Sequence, residues 1–332
     1  MPAHAMTVAS LLDSRLDAIG LPIEVLGGAG GLGRPIASPH VQKMGLALAG
    51  FDTYLQPGRI LVFGESEVRY LESLPPAARR RALEATLGRD LPCLLITGGL
   101  APPDEVLPVA EAQGLPVLRT PVSTPMAIAK ITTLLDDRLA VRETIHGVLV
   151  DTLGLGVLLV GESGIGKSEC ALELVVRGHR LVADDTVEVR RRAETTLVGS
   201  CPVLTRHHME VRGLGLINVR DLFGVASTRS VKQIELVVQL ERWDPAREYE
   251  RLGIDENTFE LLGLLVPLVR VPVAPGRSLA TLVEVAARNQ VLRSRGRNAA
   301  RLLAERVDRA IQHGSEPDDG ELDDWLEIGG PE

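Results

Sequence analysis

Short apolar runs recur along the first 130 residues, separated by stretches with helical spacing. Pro22-Ile23-Glu24-Val25-Leu26, Arg59-Ile60-Leu61-Val62-Phe63, Cys93-Leu94-Leu95-Ile96-Thr97 and Pro116-Val117-Leu118-Arg119 predict strands. Ala77 to Leu87 and Pro103 to Gln113 predict helices between them. This βαβ alternation predicts a parallel or mixed sheet with helices on its faces, an α/β class. Gly28-Ala29-Gly30-Gly31-Leu32-Gly33 formally fits the dinucleotide pattern G-x-G-x-x-G. The segment that should open a helix, Arg34-Pro35-Ile36-Ala37-Ser38-Pro39, carries two prolines, so the pattern is read as a turn.

Ser123 to Arg142 predicts a helix with Met126, Ile128, Ile131, Leu134, Leu135 and Leu139 on its apolar side. It ends in charged residues and reads as a connector. The resulting division is an N-terminal α/β domain over 1–130, a connecting helix over 131–143 and a second α/β domain over 144–311. Residues 312–332 read as a disordered acidic tail, since the chain after Arg309 has eight acidic residues and no Lys or Arg. In the second domain Gly156-Val157-Leu158-Leu159-Val160 predicts a buried parallel strand, and Glu169 to Val176 a helix with one apolar face.

Between that strand and helix stands Gly161-Glu162-Ser163-Gly164-Ile165-Gly166-Lys167-Ser168, which fits the phosphate-binding pattern G-x-x-x-x-G-K-[ST]. Its glycines let backbone N–H groups turn inward around a phosphate, and the helix N-terminus adds partial positive charge. Lys167 is placed to reach the outer phosphates and Ser168 to ligate magnesium. Only four of the 36 basic residues are lysine, so a lysine at this position is informative. The chain is read as binding a nucleoside polyphosphate.

Composition narrows the function classes. Aromatic residues are 3% of the chain, so cores must be built from Leu, Val, Ile and Ala, which suits α/β layers. A net charge of −8 and the lack of an aromatic platform argue against nucleic-acid binding. Cys93, Cys170 and Cys201 form no C-x-x-C and read as small buried hydrophobes in a reducing cytoplasm. No apolar stretch approaches twenty residues, so no membrane segment is expected.

Three further stretches could carry chemistry. Arg180-Leu181-Val182-Ala183-Asp184-Asp185 reads as a strand ending in two carboxylates, of which one is expected to face the phosphates. Such a group could hold magnesium or take a proton from an attacking hydroxyl. Met209-Glu210-Val211-Arg212-Gly213-Leu214-Gly215-Leu216-Ile217-Asn218 reads as a hairpin or bulge, or as backbone closely approached by a ligand. Pro272-Val273-Ala274-Pro275-Gly276-Arg277 reads as a turn presenting an arginine.

These motifs, in this order, resemble the bacterial HPr kinase/phosphorylase family from about Leu21 to Ile311. The likeness includes Arg34 to Phe51, Ile145-His146-Gly147-Val148-Leu149-Val150-Asp151, the octapeptide, Arg177-Gly178-His179-Arg180 with the acidic pair, Tyr249-Glu250-Arg251-Leu252-Gly253 and Pro275-Gly276-Arg277. The resemblance implies ATP-dependent phosphorylation of a serine on the phosphocarrier HPr. It also implies the reverse reaction, in which inorganic phosphate removes the group as pyrophosphate. It places His146, Lys167, Asp185 and Arg251 at the active site, with Asp185 exchanging the serine proton, and gives Ser168 and Glu210 as magnesium ligands. Met209 to Asn218 would serve both directions and Pro272 to Arg277 mainly phosphorolysis. The implied architecture is an N-terminal α/β domain joined to a core like that of phosphoenolpyruvate carboxykinase, assembled as a homohexamer. Three places depart from the family pattern: Ser278 stands where Asn is usual, Ala287-Arg288-Asn289-Gln290-Val291 where Ala-Met-Asn-Phe-Arg is usual, and Leu216 where isoleucine is common. A kinase of a small metabolite and a nucleotide-sensing regulator without catalysis are the alternative readings.

Overall fold

Most of the apolar runs become short buried strands, the partly exposed Glu24–Gly27 being the exception, in a computed structural model that describes residues 6–12, 16, 19–43, 45–244 and 257–313. The chain divides into two units between Val141 and Arg142. The first holds strands β1 (Glu24–Gly27), β2 (Leu61–Phe63), β3 (Leu94–Ile96) and β4 (Val117–Arg119), in the order β1-β4-β3-β2. Strands β2, β3 and β4 are parallel and β1 is antiparallel to β4, so the sheet is mixed. Val62, Leu95 and Leu118 point to one face, where Ala127, Ile131 and Leu135 of helix Thr124–Leu139 cover them. Leu61, Phe63, Leu94 and Ile96 point to the other, under helices Glu65–Ser73, Pro76–Leu87 and Val106–Ala112. The helix expected as a connector is therefore a layer of the first unit. It ends at Leu139, and Arg142–His146, partly assigned to the connector, is a strand. The Gly28–Gly33 segment opens no long helix: Ala29–Gly31 is a single 3₁₀ turn and Pro35–Ile36 pairs as a strand.

The second unit pairs two sheets back to back. Strands β5 (Arg142–His146), β6 (Val148–Thr152), β7 (Leu155–Gly161), β8 (Arg180–Ala183), β9 (Thr186–Arg192) and β10 (Thr196–Ser200) precede β11 (His208–Val211) and β12 (Gly215–Asn218). Then follow β13 (Val231–Gln233), β14 (Leu236–Arg242), β15 (Thr258–Leu261) and β16 (Leu264–Val273). The larger sheet has the order β8-β6-β7-β14-β16-β15 and the smaller β13-β10-β9-β5, while β11 and β12 form a hairpin. Strand β7, expected to be parallel, is parallel to β14 but antiparallel to β6.

Alternation explains its continuous apolar run. Val157 and Leu159 pack with Leu236, Val238 and Leu240 under two helices, α1 (Lys167–Val176) and α2 (Leu279–Ser294). Leu158 and Val160 face Val187, Val189 and Leu197 of the smaller sheet. Phe63 is the one aromatic among the buried hydrophobic residues described, so these cores are aliphatic. All three cysteines are buried and unpaired, and burial pushes the Cys93 thiol up to about 12. Among the described residues no helix is long and apolar enough to cross a membrane.

Candidate active site

Strand β7 delivers the chain into the Gly161–Ser168 loop, and α1 leaves it. Gly166 is the N-cap of α1 with φ +105°, a left-handed conformation that L side chains rarely adopt. At Gly161 (φ +146°) a β-carbon would lie 2.5 Å from Leu240 O, so only glycine lets the loop leave the sheet here. The Lys167 ammonium folds back over the loop, donating to Gly161 O and Glu162 O, each at 2.9 Å. Burial pushes its pKa down, while Asp185, Asp184 and Glu169 pull it back up. A cation held over backbone carbonyls is poised to exchange them for phosphate oxygens.

The two sheets meet beside this loop, and that junction builds the rest of the site. The chain crosses from the smaller to the larger sheet at Gly147, between His146 of β5 and Val148 of β6. It crosses back at Asp184-Asp185, between Ala183 of β8 and Thr186 of β9. Gly147 N–H donates to Asp185 O at 3.0 Å, locking the crossings together. His146 Nδ1 consequently lies 3.0 Å from Asp185 Oδ1, with both side chains open to solvent.

Asp184 and Asp185 were expected to point to opposite faces, yet both line the same cleft with Lys167, Ser168, Glu210 and Arg212. The reason is that Asp185 is no longer on the strand: its φ of +63° turns the backbone and redirects the second carboxylate. Nor does β8 lie next to β7, because β6 stands between them. Asp184 is buried; it accepts from Ser168 Oγ at 2.8 Å through Oδ1 and from Glu210 N–H at 3.2 Å through Oδ2. Burial raises its pKa against the opposing pull of those two hydrogen bonds, and the Asp185 charge adds to the rise.

Hairpin β11–β12 brings Glu210 and Arg212 to the loop, where a β-carbon on Gly164 would meet Arg212 Nη2 at 2.5 Å. The cleft measures about 130 Å³, below the ~300–1,000 Å³ usual for small-molecule pockets, so it suits a phosphate chain rather than a whole nucleotide. A larger groove of about 500 Å³ runs between β16 and α2, with Arg270, Pro272, Arg277, Leu282 and Ala286 among its walls. Its lining has no carboxylate.

Comparison with known proteins decides the family. Residues 137–307 match the model of the HPr Serine kinase C-terminal domain, and residues 6–135 that of the HPr Serine kinase N terminus. The chain belongs to the HPr serine kinase family. An HPr kinase/phosphorylase of Geobacter sulfurreducens is 43% identical over 92% of this chain and 96% of its own. One of Brevibacillus brevis is 44% identical over 89% of this chain and 94% of its own. A solved structure, of the Hpr(Ser) kinase/phosphatase from Coxiella burnetii, is 33% identical, with a TM-score of 0.44 over 46% of this chain and 93% of that one.

Within this HPr serine kinase fold the residues expected at the site are not all brought together. His146, Ser163, Gly164, Gly166, Lys167, Ser168, Asp185, Glu210 and Arg212 line one cleft. The Pro272–Arg277 segment does not: Pro272 and Arg277 line the larger groove, and the Arg277 guanidinium lies 5.8 Å from the Trp243 ring. Arg251 lies outside the described residues, as do Tyr249 to Gly253 and residues 314–332 of the expected tail, whose first two residues instead end the helix Ala299–His313. Asp184 is the member that reading the sequence missed. The doubled carboxylate after an apolar strand signalled it, but the strand's alternation argued for only one of the pair.

Among the described residues no group of three His, Cys, Asp or Glu side chains gathers as a metal cage. The donors present nonetheless fit magnesium, which usually binds through one or two carboxylates plus substrate phosphates. Ser168 Oγ, the buried Asp184 and Glu210 are all hard oxygen donors at the loop.

Proposed function

We propose that the second unit transfers the terminal phosphoryl group of ATP to a serine of HPr, and that inorganic phosphate reverses the transfer. Family membership supports the reaction class. The observation that carries the residue assignment is the His146–Asp185 pair set 3.0 Å apart in the cleft that also holds Lys167 and Ser168.

In the kinase direction, Gly161 to Ser168 cradle the phosphates and Lys167 holds the outer two. Asp185 accepts the proton as the serine oxygen bonds to the γ-phosphorus and the bond to the β-phosphate oxygen breaks. His146 steadies that carboxylate. In reverse, an oxygen of inorganic phosphate attacks the phosphoserine phosphorus. Asp185 returns the proton to the departing serine oxygen, and pyrophosphate leaves. One carboxylate can serve both reactions because each makes or breaks the same serine oxygen–phosphorus bond. Ser168 and Glu210 would hold magnesium, with Asp184 orienting both. When bound, the ion would spread the negative charge of the phosphates.

Met209 to Asn218 belongs to both directions and Pro272 to Arg277 to phosphorolysis, with Arg251 as a further cation of the site. We place the enzyme in the cytoplasm as a homohexamer, its second unit sharing the nucleotide-binding core of phosphoenolpyruvate carboxykinase. The test is transfer from terminally labelled ATP with magnesium: HPr gains label on serine, and added phosphate releases it as pyrophosphate. Transfer to a small hydroxyl compound instead would mark a metabolite kinase. ATP binding without any transfer would mark a sensor.

A further inference from the structure

Helix α1 carries the loop at its first residue and an unassigned polar cluster at its other end. Arg177, its C-cap, donates from Nη1 to Thr281 Oγ1 at 2.9 Å and Glu284 Oε2 at 3.3 Å. Its Nη2 donates to Ser278 Oγ at 3.2 Å and to Glu173 Oε1. Ser278 Oγ donates to Glu173 Oε1 at 3.0 Å and accepts from Thr281 N–H at 3.2 Å, which makes it the N-cap of α2. Arg177, Glu173 and Ser278 thus tie the first turn of α2 to the last turns of α1.

Ser278 directly follows the Pro272–Arg277 segment, so this tie fixes one end of it. The other end is continuous with β16, which is parallel to β14, itself parallel to the strand that delivers the loop. Between these two anchors Gly276 takes φ +80°, Arg277 lies over Trp243, and Trp243 N–H donates to Val273 O at 3.2 Å. Leu279, the next residue after the clamp, packs at the loop: a β-carbon on Gly166 would lie 3.5 Å from its Cδ1.

We propose that Arg177 and Ser278 are positioning residues that hold the Pro272–Arg277 segment in register with the Gly161–Ser168 loop, and that phosphorolysis depends on them more than protein phosphorylation does. The inference rests on the assignment of that segment to phosphorolysis. The physical reason is the size of the attacking group. HPr brings a protein surface whose remote contacts can orient its serine. Inorganic phosphate brings none, so its placement depends wholly on the groups beside it, and small displacements there cost much rate.

The test uses the full chain with Trp325→Phe, which leaves Trp243 as its only tryptophan. In that background Ser278→Ala raises the KM for phosphate about tenfold and leaves the kinase rate unchanged. Acrylamide quenching of Trp243 increases in step. Ser278→Thr, which keeps the hydroxyl, restores both, and Arg177→Gln behaves as Ser278→Ala does. Unaltered quenching overturns the clamp whatever happens to KM. Altered quenching with an unchanged phosphate KM leaves the clamp standing and overturns the assignment of the segment to phosphorolysis. Equal losses in both directions overturn the selective role.

Discussion

The two units end their sheets in the same way and finish them with opposite chemistry. In each, an apolar strand buried on both faces runs into a glycine-bearing turn: Ile96 into Thr97-Gly98-Gly99, Val160 into the Gly161–Ser168 loop. In the first unit the polar groups at that edge satisfy one another. Thr97 Oγ1 lies 2.7 Å from Thr124 Oγ1 and donates to Phe63 O at 3.1 Å, while Glu67 accepts from Gly64 N–H at 2.9 Å and from Ser66. Gly98 and Gly99 donate inward to Val122 O and Thr120 O. In the second unit the corresponding edge gathers Lys167, Asp184, Asp185, Glu210 and Arg212 around an open cleft. A sheet edge becomes a site when its charges remain available to a ligand after the fold has used what it needs.

Asp185→Asn breaks that contrast most sharply. Asparagine tolerates φ +63° as aspartate does, so the turn survives and only the proton acceptor is lost. Nucleotide binding remains, and both reactions fall by ~10²–10⁴, the range a positioned general base contributes. Wild-type rates in either direction would remove Asp185 from the mechanism.

Asp184→Asn has a smaller effect on turnover and raises stability at neutral pH. Because burial raises its pKa, the folded chain binds this proton more tightly than the unfolded chain does. Its favourable contribution is complete below the unfolded carboxylate value and is lost as pH rises through the higher folded value. At neutral pH the ionised Asp184 therefore costs stability. The variant should melt above the wild type at pH 7, with the gap closing towards acid, measured by thermal unfolding across pH. Its magnesium affinity should fall about 10–100-fold, as expected when a group that orients metal ligands is lost. A variant no more stable at pH 7 would mean that the hydrogen bonds from Ser168 and Glu210 outweigh burial.

The elements legible in the sequence are those built on an apolar run whose period matches the element: Leu94–Ile96 falls within the predicted 93–97 and Pro76–Leu87 matches the predicted 77–87, whereas most strands of the second unit carry no such signal. The loop was legible because its glycines answer a local steric demand. Less visible was anything set by the meeting of elements far apart in sequence. The crossing of two sheets at Gly147 and Asp185 joins β5 to β9, and no periodicity reports it. Alternation along β8 even argued against the arrangement found, since it holds only while the chain stays extended, and Asp185 is where it stops. The fate of Ser123–Leu139 was hidden for a related reason: an amphipathic helix shows that it has a partner face, not which unit supplies it.

The smallest predicted effect tests the first unit's side of the comparison. Thr97 is fully buried, and its hydroxyl serves Phe63 O and Thr124 Oγ1. Thr97→Val keeps the shape and removes those bonds, so it should lower stability by ~1–2 kcal/mol, read as a lower denaturation midpoint with an unchanged slope. Phosphoryl transfer in both directions should stay at the wild-type rate once the variant is folded. If transfer fell while stability held, the Thr97 edge would be supporting the reaction rather than only closing its own sheet. The division between a self-satisfied edge and a working one would then have to be redrawn.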